Sequence, residues 1–495
     1  MRRTYTFGAI VAIYHLTAKM ISRARGQSAV AAAAYRFGVA LRDERYGITH
    51  RFAADRAIAH AEIMAPPGAP AWAGVRDQLW NRVEAGERRK DAQLARVVEI
   101  ALPAELSPGE NLSLVRDYVA GEFIARGMIA DFCLRGDPGK PHAHILLTLR
   151  LVTAEGFGLK ERRWNGRAVL QEWRAAWAER ANDHLARAGH GVRIDHRTLE
   201  AQQIELAPAK RVGVPRGRRD EETLPPHLAD RVLQQQRIAQ INGDLIAEDP
   251  TVVLRALTHQ RPLFTRPELA EFLRPRTHGD AQFEAVLARV LASPELVALG
   301  TGPGPGPEAR FTSRDMIEAE KSLLRRVASM AARRQTRSAM RATAGSWAQT
   351  LNEEQRRIFD TLTGDGDAKA VVLDAGPGKA ALLTAVHGAW SEAGLTVLGA
   401  APSARAASAL QLATGIACAA LDTREDAWSQ EIDLPSRDTV LIVDEAERLG
   451  LKQLERVVAI ADKARSTIVL IGDAAHLHAM KAEPPLAMLL RLRPR

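Results

Sequence analysis

Cysteine is almost absent from this chain: Cys133 and Cys418 stand far apart in the sequence, so no disulfide framework is indicated and a reducing cytoplasm suits it. Long apolar runs are also missing, and no stretch approaches the ~20 residues that cross a bilayer, so no membrane association is expected. The basic, then apolar opening from Met1 to Val11 soon meets Tyr14, His15 and Lys19, with no small-residue cleavage site, which argues against export. Tyrosine is scarce as well. Five occur, so any phenol chemistry has few candidates.

What the chain has in excess is positive charge. Its 495 residues include 68 Lys or Arg against 59 Asp or Glu, a net of +9. The first 60 residues alone hold ten basic and three acidic side chains. Such an end suits a polyanion, DNA or RNA, although a solvated basic face gives the same count. The length is too great for one core and implies two or three domains.

Pro141-His142-Ala143-His144, followed by Ile145 to Leu149, reads as a strand. Alternation puts His142 and His144 on one face, where two imidazoles can share a metal ion; two polar positions on a half-exposed strand would alternate the same way. Arg96 to Pro103 reads as another strand. In it Glu99 is a carboxylate among apolar residues, which needs a cation, a metal-bound group or a plain salt bridge. Earlier, Val11 to Leu16 reads as a first strand and Ser22 to Gly26 as a basic turn carrying Arg23 and Arg25. Ser28 is placed to cap a helix over Ala29 to Phe37, stopped by Gly38. On that alanine helix Tyr35 is the large polar feature. Beside Arg36 and the basic turn it is either a core tyrosine or a phosphate-facing one. Trp173 and Trp177, on one side of a helix from Trp164 to Arg187, read as packing.

Residues 206–225 read as a basic linker and 226–341 as a helical middle region. In the last segment, 345–495, the strand Ala370–Leu373 runs into Gly376-Pro377-Gly378-Lys379, close to a phosphate-binding loop. Its first glycine position holds Leu373, and the hydroxyl position for magnesium holds Ala380. Gln355 precedes it; Thr439 to Val443 then ends in Asp444 and Glu445, which suits magnesium and water activation, and Thr467 to Asp473 is a further parallel-type strand.

Taken together, these stretches resemble the MobA/MobL family of conjugative relaxases, and more closely its long TraA-type members, in which a relaxase is fused to a RecD-like superfamily 1 helicase. The carrying residues are Ala12-Ile13-Tyr14-His15-Leu16, Gly26 through Arg36, Asp91 through Arg96, Glu99 to Pro103, Pro141 to His144, and Ile194 to Gln202. The resemblance implies an α+β domain over residues 11–205, with the antiparallel, helix-flanked sheet of a histidine-hydrophobe-histidine (HUH) endonuclease. It implies an α/β P-loop NTPase lobe at 345–495. It also implies nicking at an origin of transfer, with Tyr35 as nucleophile, Glu99 as an acid beside it, and His142 and His144 holding Mg or Mn. Arg23, Arg25 and Arg36 would bind DNA; Gln355, Gly376, Gly378, Lys379, Asp444 and Glu445 would form a degenerate ATP site. The implied partners are single-stranded and duplex plasmid origin DNA, a relaxosome and a type IV coupling protein. Two departures stand out. Arg135 occupies the place of a third histidine ligand, and His476 that of a nucleotide-sensing Gln. With no second motor lobe in the sequence, a shortened, vestigial helicase is expected. A DNA-binding remnant that no longer cuts and a nucleic-acid-binding ATPase regulator are the competing readings.

Overall fold

The computed structural model describes residues 14–52, 58–136, 141–202, 204–208, 226–301, 309–333, 347–364, 367–373, 377–474, 477 and 484–491. It divides into two compact units: residues 1–185, 192–252 and 265–288, and residues 186–191, 253–264 and 289–495.

The first unit is built on β1 (Leu16–Ser22), α1 (Ala29–Phe37), a small hairpin of β2 (Leu41–Asp43) and β3 (Ile48–His50), and β4 (Ile58–Met64). There follow α2 (Arg76–Gly86), β5 (Gln93–Ala101), α3 (Pro108–Glu122), β6 (Ala130–Arg135) and β7 (His142–Leu147). A second hairpin, β8 (Arg150–Thr153) and β9 (Gly156–Lys160), precedes α4 (Arg167–Ala188). The main sheet has the order β1-β5-β7-β6-β4, and every neighbouring pair in it is antiparallel. Val11 to Ile13 of the expected first strand lie outside the described residues; within them the strand runs on past Leu16, and Leu16 to Ser22 pairs with β5 along its length.

The capped helix is where the sequence places it. The Ser28 hydroxyl accepts from Ala31 N–H, and Gly38, at φ 59°, supplies the left-handed residue that closes the C-terminus. Ala29, Val30, Ala33, Ala34 and Phe37 are buried in one cluster with Val97, Cys133 and Leu146 on the facing side of the sheet. Their small size lets the helix lie close to the strands. The opposite face carries the aromatics: Trp173 packs on Phe123, Trp177 on Tyr118, and Arg96 stacks on Trp173. Both tryptophans are fully buried, as packing residues should be. Each large apolar side chain so buried contributes about 1.5–3 kcal/mol.

The middle region is not purely helical. Helices at Pro226–Glu248, Pro250–Gln260, Arg266–Leu273, Gly279–Leu291 and Arg314–Ala331 are interleaved with β10 (Phe264–Thr265), β11 (Leu296–Thr301) and β12 (Ala309–Ser313), a three-stranded sheet. Leu296 to Gly300 carries too little alternation to announce a strand. Most of the expected linker, 209–225, lies outside the described residues.

The C-terminal sheet is parallel, in the order β13-β17-β16-β14-β15. These are Ala368–Leu373, Thr467–Asp473, Thr439–Val443, Thr396–Ala401 and Ala417–Ala420 respectively. Continuous β-branched and aliphatic runs build β16 and β17, which are buried along their whole length.

Candidate functional site

Strand register assembles the first site. Glu99 on β5 lies opposite Thr17 on one side and His144 on the other, and His144 in turn lies opposite Cys133. One row further along, His142 lies opposite Arg135. Because side chains alternate, Thr17, Lys19, Glu99, His142, His144, Cys133 and Arg135 all project from the face that α1 covers.

The contacts are those of a half-buried polar cluster. His142 and His144 stand ring against ring, 5.0 Å between centroids. One Glu99 oxygen is 3.5 Å from His144 Nδ1, and the other is 3.5 Å from both Lys19 Nζ and the Thr17 hydroxyl. The carboxylate in the apolar strand thus has a lysine and an imidazole for company. A carboxylate on one imidazole nitrogen leaves the other to face a metal, the usual arrangement behind a ligating histidine. Two imidazoles and this carboxylate are the right donor types for a divalent ion. Among the described residues, however, no three His, Cys, Asp or Glu side chains gather tightly enough to enclose one. An ion held here would have two protein ligands and open positions.

Tyr35 sits at the last turn of α1 and is 60% exposed, its ring edge-on to Phe52 at 5.4 Å. The next residue, Arg36, is half-buried and feels the charges of Glu99 and Arg135. Burial pulls its guanidinium below the ordinary arginine value. Arg135 shares the face of the His pair, and its Nη2 donates to the Arg36 carbonyl at 2.9 Å, at the negative end of α1. That contact was invisible in the sequence, since it depends on how a helix is laid across a strand.

One expected DNA-binding residue is corrected. Arg23 is buried: Nε and Nη2 reach Glu84 Oε2 at 3.1 and 2.5 Å, and other donors reach the carbonyls of Glu84, Glu87 and Arg89. Its whole fork is spent on α2 and the chain after it. Arg25 is exposed. Glu84, which the sequence gave no reason to single out, also accepts from Ala29 N–H at 2.7 Å and so anchors the start of α1.

At the second site Lys379 Nζ is 2.6 Å from Asp444, just past β16, and Gln355 Nε2 donates to the Gly378 carbonyl at 3.0 Å. Glu445 takes a left-handed conformation at φ 51° and pairs with Arg448 at 3.2 Å. Gly376 and His476 lie outside the described residues. Ala380 brings no hydroxyl. Reading the sequence for Asp444 and Glu445 passed over Glu447, a fully buried carboxyl that accepts from Asp473 N–H at 3.2 Å. Burial pushes it from 4.5 to about 7. A raised carboxyl binds its proton more tightly in the folded chain, so the contribution of Glu447 to stability is fully present below pH 4.5 and is lost by about pH 7, a change of roughly 3 kcal/mol. Urea unfolding of the full chain at pH 5 and pH 8 measures this, and Glu447→Gln should flatten the difference.

Two family models match the chain: the MobA/MobL family over residues 27–221 and an AAA domain over residues 350–494. A conjugal transfer protein TraA from Agrobacterium fabrum is 31% identical over 95% of this chain and 47% of its own length. A mobilization protein MobL from Acidithiobacillus ferridurans is 35% identical over 41% of this chain and 62% of its own. Mobilization protein A from Escherichia coli is 33% identical, over 41% and 30% respectively. The chain spans about half the length of the TraA proteins it matches. Among the described residues no helix is long and apolar enough to cross a membrane.

Proposed function

Because the chain belongs, through residues 27–221, to the MobA/MobL family and carries an AAA domain at 350–494, we propose that it is a relaxase nicking one strand at a plasmid origin of transfer. The observation that carries this reading is the exposed Tyr35 on a helix pinned over a sheet face that presents His142, His144 and Glu99. In the proposed step the Tyr35 oxygen attacks a phosphodiester. An O–P bond forms to the 5′ side and the bond to the 3′ oxygen breaks. Glu99 takes the phenol proton, which passes through solvent to the departing 3′ hydroxyl, so atoms and charge balance. His142 and His144 would hold a Mg or Mn ion, which supplies positive charge to the phosphate.

The test is incubation of the full chain with single-stranded oligonucleotides covering a candidate origin, with Mn²⁺, scored as a shift on a denaturing gel. A covalent adduct is expected. Binding with no adduct on any origin strand would favour the remnant that recognises DNA without cutting, a reading to which Arg135 in the third-ligand place lends weight. A relaxosome and a coupling protein belong to the same proposal.

The C-terminal lobe is proposed to bind ATP weakly and not to drive unwinding. Lys379 is already paired with Asp444, so a phosphate must displace that pair, and Ala380 offers magnesium no ligand. DNA-stimulated ATP turnover should stay well under the ~1–100 s⁻¹ of working phosphoryl-transfer enzymes. Ordinary turnover by the purified chain would show the lobe to be a working motor.

A further inference from the structure

Within this same nuclease reading, on which the inference rests, the polar face holds a group of charges that a His pair and a carboxylate do not explain. Lys19, Arg36 and Arg135 bring three positive charges to the neighbourhood of one carboxylate, Glu99. The next acid along that face, Asp131, is already taken by a two-pronged bond from Arg76, both contacts 2.8 Å, and by the Trp80 indole at 2.9 Å.

The two guanidinium groups are each only partly used. Arg36 donates from Nη1 to the Ala32 carbonyl at 2.9 Å, and Arg135 from Nη2 to the Arg36 carbonyl. The Nε atoms of both are buried, and neither has a hydrogen-bond partner among the described residues. A buried donor left unmade costs about 1–3 kcal/mol, more on a charged group, and two like charges close together add repulsion. Capping the end of α1 would need only one arginine, and it would leave no reason for the second to lie beside it.

The geometry points to a phosphate seat: Arg36 and Arg135 together receive one backbone phosphate of the bound strand beside Tyr35. A tetrahedral anion with two non-bridging oxygens matches two planar forks, and arginine donors suit phosphate in this way. Arg135 thereby serves the substrate from the place where a third metal ligand would stand. The positive charge it brings is permanent and does not depend on any ion.

The experiment uses the full chain carrying Tyr35→Phe, so that no covalent step intervenes, and a fluorescent mixed-sequence 12-nucleotide single strand in EDTA. Arg135→Gln and Arg36→Gln should each weaken binding by about 10-fold or more, as the loss of a charged hydrogen bond does. Each should also lower the slope of log affinity against log salt by about 0.7, one phosphate contact. The double variant should lose little more than either single one, because one phosphate is shared. Arg135→Lys should keep the slope while losing part of the affinity. Unchanged affinity and slope in both Gln variants would overturn the seat, and so would two losses that simply add. Gln can still donate to the Arg36 carbonyl, and Arg36→Gln leaves β6 untouched, so a folding defect in one variant leaves the other decisive. If the chain with Tyr35 intact forms no adduct while the Gln variants still weaken binding, the nuclease reading fails and the seat stands. Adduct formation alongside unchanged binding gives the reverse.

Discussion

Tyr35→Phe should bind single-stranded DNA as the unaltered chain does and form no protein–DNA adduct, a loss of roughly 10³-fold or more, as expected when the nucleophile is removed from a covalent mechanism. The prediction discriminates among tyrosines because their surroundings differ. Tyr118 is fully buried, with its hydroxyl donating to the Trp173 carbonyl. The Tyr14 phenol is buried enough that its proton is held well above the ordinary value of 10. Ionising either would place a charge in a poor medium for it. Tyr46 is exposed but sits in the turn between β2 and β3, and Tyr5 lies outside the described residues. Tyr14→Phe should therefore keep the adduct. If Tyr14→Phe abolishes the adduct and Tyr35→Phe does not, the assignment falls.

The second large effect is on stability. Arg23→Ala or Glu84→Ala should each cost about 3–5 kcal/mol, since removing one partner strands a buried charge. Their side chains are only 4% and 1% exposed, and Glu84 loses its hold on Ala29 N–H at the same time. Urea unfolding of the full chain measures the loss. Arg25→Ala, on the exposed side of the same turn, should change stability by less than about 0.5 kcal/mol. A small loss for Arg23→Ala would mean that the residue is free to serve DNA after all.

These two cases mark where the amino-acid sequence can be read and where it cannot. Ser28, the alanine run and Gly38 define α1 to within a residue, because capping and left-handed closure are local effects. The His142/His144 face and the parallel strands β16 and β17 follow from alternation and from continuous apolar runs, also local. Arg23 and Arg25 look alike in sequence, two basic residues in one turn, and only the packing of α2 separates a buried structural arginine from an exposed one. Arg135 is a sharper case. Comparing spacings identified the place it occupies, but its partner is a carbonyl 99 positions earlier in the chain, a pairing fixed by how α1 crosses β6. Glu447 went unremarked because Asp444 and Glu445 already satisfied the expected pattern.

The fastening of α1 at both ends has a mechanical consequence. At its start Ser28 donates to Asp43 at 2.6 Å and Glu84 grips Ala29; at its end Arg135 and the Cys133 thiol meet the Arg36 carbonyl. A strand joined to Tyr35 would hang from the last turn of this helix, so any tension on it becomes a load on the helix as a whole. Peeling α1 away would require breaking hydrogen bonds to two buried carboxylates at one end and a charged hydrogen bond at the other within a single event. A tyrosine on a loop would yield one bond at a time; one on a strut fixed at both ends holds its position until the whole helix gives way.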